Sequence, residues 1–407
     1  MTNTNSNTLF KTLLGLCLLW VFSCGNQDTY DVLILNGSVY DGKGGDPIVT
    51  DIAIKDSMIV TMGELDNAKA DKIIDASGLA VSPGFIDMHT HIEPIMELNS
   101  CESHVRQGVT TSLGGPDGSS PYPLKPYMDS LQQKGVGMNV AYLVGHNTIR
   151  RNIMGLEDRA PTAEELKAME AEVDSAMKDG AFGISTGLKY LPGAFSKVDE
   201  VISLSKVASS YGGIYTSHLR EEGLGLFDAV AEAIKISEDA DIPVVLTHHK
   251  AIGKPMWGKS ARTLAMVDSA RAKGLDIKMD QYPYAASYTG ISVLIPSWAR
   301  AGGQEAFKER VADPVLRDRI KNGIVFNILN DRGGSDLDRV QFAKVEWQPE
   351  LEGKTLKYWC EQNDLEPSVE NGADMVIKAQ LNGGASCVFH AMAEEDVERI
   401  MKHPFTM

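Results

Sequence analysis

Cysteine is scarce in this chain, with five in 407 residues, and two of them, Cys17 and Cys24, fall within the first 24 residues. The remaining three, Cys101, Cys360 and Cys387, are too few for a disulfide framework, so the fold is expected to rest on its core. Positive charge is also short: 39 lysines and arginines face 55 aspartates and glutamates, a formal charge of -16. That deficit argues against binding a phosphate backbone and so excludes nucleic acid as an expected partner. Long apolar runs are missing except for one at residues 13–22. Histidine is rare too, with nine in the chain, yet two stand one residue apart in "VSPGFIDMHTHIEP".

The single apolar run lies in "MTNTNSNTLFKTLLGLCLLWVFSCGNQ". It is too short to cross a bilayer comfortably and reads as a secretory signal. The "VFSC" that follows resembles a bacterial lipoprotein cleavage box, which makes residues 1–24 a signal peptide and Cys24 the lipidated N-terminus. The expected location is the bacterial cell envelope, periplasm-facing or cell-surface, with membrane contact only through the lipid. A plain signal with an incidental cysteine is the alternative.

Residues 25–82 alternate apolar and polar positions between Asn-Gly, Gly-Gly and Ser-Gly pairs, predicting a small β-rich unit. From residue 83 the pattern becomes strand, then helix, repeated. Taking His89, Asp117, His146, Gly187, His218, His248 and Asp280 as strand-end markers, the steps are 28, 29, 41, 31, 30 and 32 residues. A βα unit needs about 30 residues, and seven in succession favour a (β/α)8 barrel over an open sheet. The regular spacing fails after Tyr284, so residues of about 285–390 are expected to be an insertion, followed by the helix "EEDVERIMKH". No eighth strand is expected before Met407.

Barrel active sites lie at the carboxyl ends of the strands. His89 and His91, at i and i+2, are expected on one strand face, where two imidazoles can hold one metal ion. His218 and His248 end two further predicted strands, "GGIYTSH" and "IPVVLTHH". Four histidines exceed what one tetrahedral catalytic site with an open water position needs, so two divalent ions sharing a bridging ligand are expected. Alternation turns His249 away from His248. Arg220, Lys250, Tyr282 and Tyr284 stand just past these strands and could bind a substrate carboxylate. His146 and Arg150 could line the same pocket.

"SPGFIDMHTH", "QGVTT", "NVAYLVGHNTIR", "GAFGISTGLKYLPG", "YTSHLREEG", "THHKAIGKPMWGKS" and "DQYPY" together resemble the N-acyl-D-amino-acid deacylase branch of the amidohydrolase superfamily. The resemblance implies an α/β fold: a distorted, TIM-like (β/α)8 metal-dependent hydrolase barrel, its eighth strand missing from this chain, with a small N-terminal β-sandwich unit completed by the other chain end. It implies zinc, as one or two divalent ions, with His89 and His91 on one and His218 and His248 on the other. The expected reaction is metal-activated hydrolysis of the amide of an N-acyl-D-amino acid. A cyclic-amide or isoaspartyl dipeptide hydrolase, resembling dihydroorotase, is a second reading, and a non-catalytic metal- or ligand-binding lipoprotein a third.

Two departures from the family pattern bear on the site. Many relatives carry a bridging cysteine in a "GNCG"-like turn, where this chain has "GGPDG" with Asp117. Carboxylated Lys189, in "STGLKY", is the first expected bridge, and Asp117 the second. The family's general-base aspartate belongs to the eighth strand, so the chain is expected to be a fragment of low or no activity unless another carboxylate, such as Asp280, takes that role.

Overall fold

The structure is a computed structural model that describes residues 29–407. The expected signal segment and Cys24 lie outside the described residues. The chain divides into two compact units, Met1–Phe85 and Ile86–Met407.

The first unit is a five-stranded sheet of β1 (Thr29–Val39), β2 (Ile48–Lys55), β3 (Met58–Gly63), β4 (Lys69–Asp75) and β5 (Ala80–Val81). Its order is β3-β2-β1-β4, with β5 also pairing β1. Asp56 and Ser57 join β2 to β3 with φ of 50° and 63°. Positive φ at both central residues is the two-residue hairpin turn that matches strand twist. Gly37 is required where β5 crosses β1, since a Cβ there would lie 2.5 Å from Val81 Cγ2. The described part of this unit is one sheet, and Met58, Ile59 and Ile73 on it are exposed.

In the second unit, β6 (Phe85–Asp87), β7 (Val109–Gly114) and β8 (Asn139–Tyr142) form one three-stranded sheet. A five-stranded sheet follows, with β9 (Val144–Gly145), β10 (Gly183–Gly187), β11 (Ile214–His218), β12 (Val244–Leu246) and β13 (Ile277–Met279) side by side in chain order and all paired in parallel. Only Leu143 separates β8 from β9, so the two sheets continue one another through one extended segment. Seven strand positions thus follow in sequence order, each succeeded by helical or looped chain. Residues of β10 and β12 are buried throughout, as expected for parallel strands covered on both faces.

The helices follow the same logic. The helix Ala163–Lys178 starts at a capping box in which Thr162 and Glu165 satisfy each other's backbone N–H groups. Helix Leu226–Ala240 buries Leu226, Ala229, Val230, Ala233, Ile236 and Ala240, a three-and-four stripe facing the strands. Beside β13 the chain end makes one parallel bridge, Met279 with Thr406, in which Met279 N–H donates to Phe405 O and Met407 N–H to Met279 O.

Between β13 and the helix Glu394–Met401 lies a second core. It packs helices Gly303–Ala312, Pro314–Asp331 and Val369–Leu381 with an antiparallel sheet of β14 (Ser287–Gly290), β16 (Ser386–Phe389) and β15 (Val340–Lys344). Trp359, Phe307, Phe342 and Phe389 are its fully buried aromatics.

Candidate metal centre and active site

The strand-end histidines are placed less regularly than alternation predicts. β6 ends at Asp87, whose Oδ1 accepts from His89 N–H at 3.0 Å, so His89 and His91 sit in a bend beyond the strand. Their rings still approach, with centroids 5.6 Å apart, but through the turn and not through a shared strand face. β12 likewise ends at Leu246, and His248 takes a left-handed φ of 37°. Its backbone N–H donates to Asp280 Oδ1 at 2.6 Å, which holds the turn. A strained residue of this kind is characteristic of functional turns. His249 turns away as expected and reaches Thr263 Oγ1 at 2.8 Å.

Asp117 also has a left-handed φ, 54°, between Pro116 and Gly118. Close packing locks its turn in place: a Cβ on Gly187 would meet Asp117 O at 2.2 Å, and one on Gly118 would meet Asn147 Oδ1 at 2.2 Å. The result is a carboxylate in the middle of the four predicted histidines. Asp117 Oδ1 lies 3.5 Å from His218 Nδ1, 3.5 Å from His248 Nε2 and 3.7 Å from His89 Nε2. Asp117 Oδ2 lies 3.3 Å from His91 Nε2.

These distances fit a metal ion. Asp117 Oδ1, His89 Nδ1 and Asp280 Oδ2 are buried without hydrogen-bond partners. Ligand atoms about 2.0–2.2 Å from a tetrahedral ion stand roughly 3.3–3.5 Å from one another. Two donor groups come near that spacing, their ligand atoms all within 4.8 Å of one another: His89, Asp117 and His248, and His218, Glu222 and His248.

Lys189, the bridge expected first, points elsewhere: its ammonium is ion-paired to Glu221 and lies 3.6 Å from Asp331 Oδ2, whereas Asp117, the second expected bridge, stands among the histidines. Arg220 is corrected as well: its guanidinium forks onto Glu232 at 2.9 and 2.8 Å and is spent on that pair. His146 and Arg150 do not line the pocket but share buried Glu200. Tyr284 is exposed and stacks on Tyr282, which puts it at the rim.

Lys250 and Tyr282 do face the cluster. Lys250 is buried, donates to Glu222 Oε1 at 2.6 Å, lies 2.6 Å from His248 Nδ1, and stands over the Tyr282 ring at 5.5 Å. Tyr282 Oη is a buried donor with no partner.

Glu222 is the residue the sequence reading missed. Its carboxylate joins Lys250, His248 Nδ1 at 3.2 Å and His218 Nε2 at 3.8 Å. The signal was present in "HLREEG", four residues beyond His218, but an acidic pair after a strand reads as surface. Tyr190 was missed too; its ring packs on His218 with centroids 4.5 Å apart.

Burial and charge divide the titrating groups. Burial raises Asp117 and Glu222, but the surrounding imidazoles, and for Glu222 the Lys250 ammonium ahead of them, hold both carboxyls well below their ordinary range. Burial, then the charge of His248, pushes His218 down to about 4. Burial lowers Lys250 and raises Asp280. Burial and the Lys250 charge pull His248 down, but the Asp117 and Glu222 carboxylates raise it to about 9, and hydrogen bonds to Asp117, then Glu93, raise His91 to about 10. Ionised carboxylates, with imidazoles that give up such protons to an ion, are the donor set of a zinc-class metal.

Comparison with known proteins places this architecture. No family model matches the chain. An N-acyl-D-glutamate deacylase of Alcaligenes xylosoxydans xylosoxydans is 32% identical over 407 residues, covering 94% of this chain and 73% of the relative. A D-aminoacylase of the same organism is 35% identical over 291 residues, covering 66% of this chain and 60% of that enzyme's length. Among solved structures, the N-acyl-D-glutamate deacylase of Bordetella bronchiseptica, complexed with zinc and a phosphonate mimic of the tetrahedral intermediate, superposes with a TM-score of 0.76 at 29% identity, over 93% of this chain and 75% of its own. A D-aminoacylase structure described as defining a novel subset of amidohydrolases superposes equally well, with a TM-score of 0.76. Sequence, fold and the histidine-carboxylate cluster agree: the chain belongs to the N-acyl-D-amino-acid deacylase family of amidohydrolases.

Proposed function

We propose that this protein hydrolyses the amide bond of N-acyl-D-amino acids at the centre built on Asp117. The observation that carries the reading is the convergence of three imidazoles on the unpartnered Asp117 Oδ1 and a fourth on its Oδ2, beside buried Lys250 and Tyr282. His89, His91, His218, His248 and Asp117 would hold one or two zinc-class ions. When bound, such an ion lowers the pKa of water and polarises the amide carbonyl.

The chain's own side chains do the rest. Lys250 and Tyr282 Oη offer a cation and a spare donor to the substrate's α-carboxylate. Glu222 keeps His248 and Lys250 in register. Asp280, its carboxyl raised by burial and its Oδ2 turned toward His89 at 3.8 Å, is placed to hold the proton that a departing amine requires.

The test is amine release by the zinc-loaded protein from a panel of N-acetyl-D-amino acids, their L-isomers, dihydropyrimidines and isoaspartyl dipeptides. Turnover confined to the D-amides is expected. Turnover of the cyclic amides or dipeptides alone would replace the reading, and zinc binding with no turnover of any would leave a binding protein.

We further propose attachment to the cell envelope through a lipid on Cys24, supported by the apolar run and the Ser23-Cys24 pair. Cys24→Ser should move the protein from the membrane fraction to the soluble one.

A further inference from the structure

One buried hydroxyl on β10 holds the turn that presents Asp117. Ser185 Oγ donates to Gly115 O at 2.6 Å and accepts from Gly118 N–H at 3.1 Å, so it ties the residue two before Asp117 to the residue after it. Ser185 is fully buried, and its hydroxyl makes no other hydrogen bond among the described residues. A hydroxyl is costly to bury on a strand packed on both faces unless it is satisfied, and here its donor and its acceptor both go to one turn.

That turn is seated as well as tied. Ser185 pairs with Gly145 in the ladder of β10 and β9, and a Cβ on Gly145 would lie 2.3 Å from Gly118 O, so the turn rests directly on that pair. Gly118 O also accepts from Thr148 N–H at 3.1 Å. All of these bonds go to backbone groups. The carboxylate of Asp117 takes none of them, and its Oδ1 stays unpartnered, facing His89, His218 and His248. The left-handed φ of Asp117, 54°, is a conformation that a residue with a side chain keeps when its surroundings impose it.

We propose that Ser185 is a positioning residue for the metal centre: its hydroxyl fixes the left-handed turn before any ion arrives, so that Asp117 meets the ion as a preorganised ligand. Without the hydroxyl, Gly118 N–H and Gly115 O are left buried and unpaired, and the turn relieves that cost by rotating, which carries the Asp117 carboxylate away from the histidines. The inference rests on Asp117 as a metal ligand and not on the identity of the substrate.

The experiment measures zinc dissociation constants of the full chain by competition with a chromogenic chelator, and Tm of the ion-free protein. Ser185→Ala should weaken zinc about 10–100-fold, the usual loss when the partner of a metal ligand is removed. Ser185→Cys, similar in size and with a weak donor, should fall between Ser185→Ala and wild type. Both substitutions are repeated in Asp117→Asn, which keeps a residue tolerant of the left-handed turn but replaces the carboxylate. There they should change zinc affinity by less than about threefold, because the ligand they position is already gone. Ion-free Tm should fall by the same amount in the two backgrounds, so general loss of stability predicts equal zinc loss in both.

Wild-type zinc affinity in Ser185→Ala, or in Ser185→Cys should the alanine variant not fold, overturns the proposal. So does an equal loss of affinity in the two backgrounds. Wild-type affinity in Asp117→Asn itself would remove Asp117 from the ligand set and the proposal with it, whereas a weakened Asp117→Asn beside an unchanged Ser185→Ala overturns the positioning role alone.

Discussion

Oδ1 of Asp117 and Nδ1 of His218 stand 3.5 Å apart, and neither burial nor hydrogen bonding explains why that oxygen has no partner. Coordination of a shared ion, as proposed above, would account for it. Asp117→Ala should therefore lose one or both bound ions, read as zinc per chain after dialysis, and amide turnover should fall at least about a hundredfold. Asp117→Cys, which supplies a thiolate in the same turn, should recover zinc. Undiminished zinc in Asp117→Ala would remove Asp117 from the ligand set.

Glu222 holds both His248 Nδ1 and Lys250. Partners of metal-ligating histidines set tautomer and ring orientation, and their loss typically weakens metal binding about 10–100-fold. Glu222→Gln should show that loss in competition with a chromogenic chelator. It should also raise KM, since Lys250 loses its buried counter-charge. Wild-type zinc affinity in this variant would confine Glu222 to packing.

Lys189, held by Glu221, is expected to be irrelevant to metal content. Lys189→Arg should retain zinc, and depleting bicarbonate from the buffer should leave zinc loading unchanged. Loss of zinc in either case would reinstate a carboxylated lysine as the bridge.

Metal loading should release protons. Hydrogen bonds to Asp117, then Glu93, raise His91 to about 10 in the ion-free protein, so its imidazole is protonated at pH 7.5. A ligand nitrogen must be bare, so the ion displaces that proton, and affinity should climb with pH up to about 10. His218, already near 4, contributes no release. Zinc calorimetry in two buffers of different ionisation enthalpy should report the proton, and His91→Asn should diminish it. Equal proton release by His91→Asn and wild type would remove His91 from the centre.

Much of this centre was legible in the chain. Steps of 28 to 41 residues through His89, Asp117, His146, Gly187, His218, His248 and Asp280 mark successive strand ends, because a strand, a helix and two short loops consume about that length. The structure brings the four histidines and Lys250 together on that basis. Direction is what the chain does not give. Reach and a readily shifted pKa favour Lys189 over Asp117 in the sequence, while its partner Glu221, 32 residues onward, is invisible until the strands are side by side. Arg220 is drawn to Glu232 in the same way.

The sequence alone determined the order of strands and helices, the histidine ends and the family, since periodicity, glycine punctuation and motif chemistry are local properties of a chain. Tertiary structure decided which atoms meet. The left-handed turns at Asp117 and His248, the clasp of Glu222 on Lys250 and the unpartnered Asp117 Oδ1 all depend on what neighbouring strands place opposite them. Charge partners and orphaned donors are pairwise facts in space, and a linear sequence carries only one member of each pair at a time.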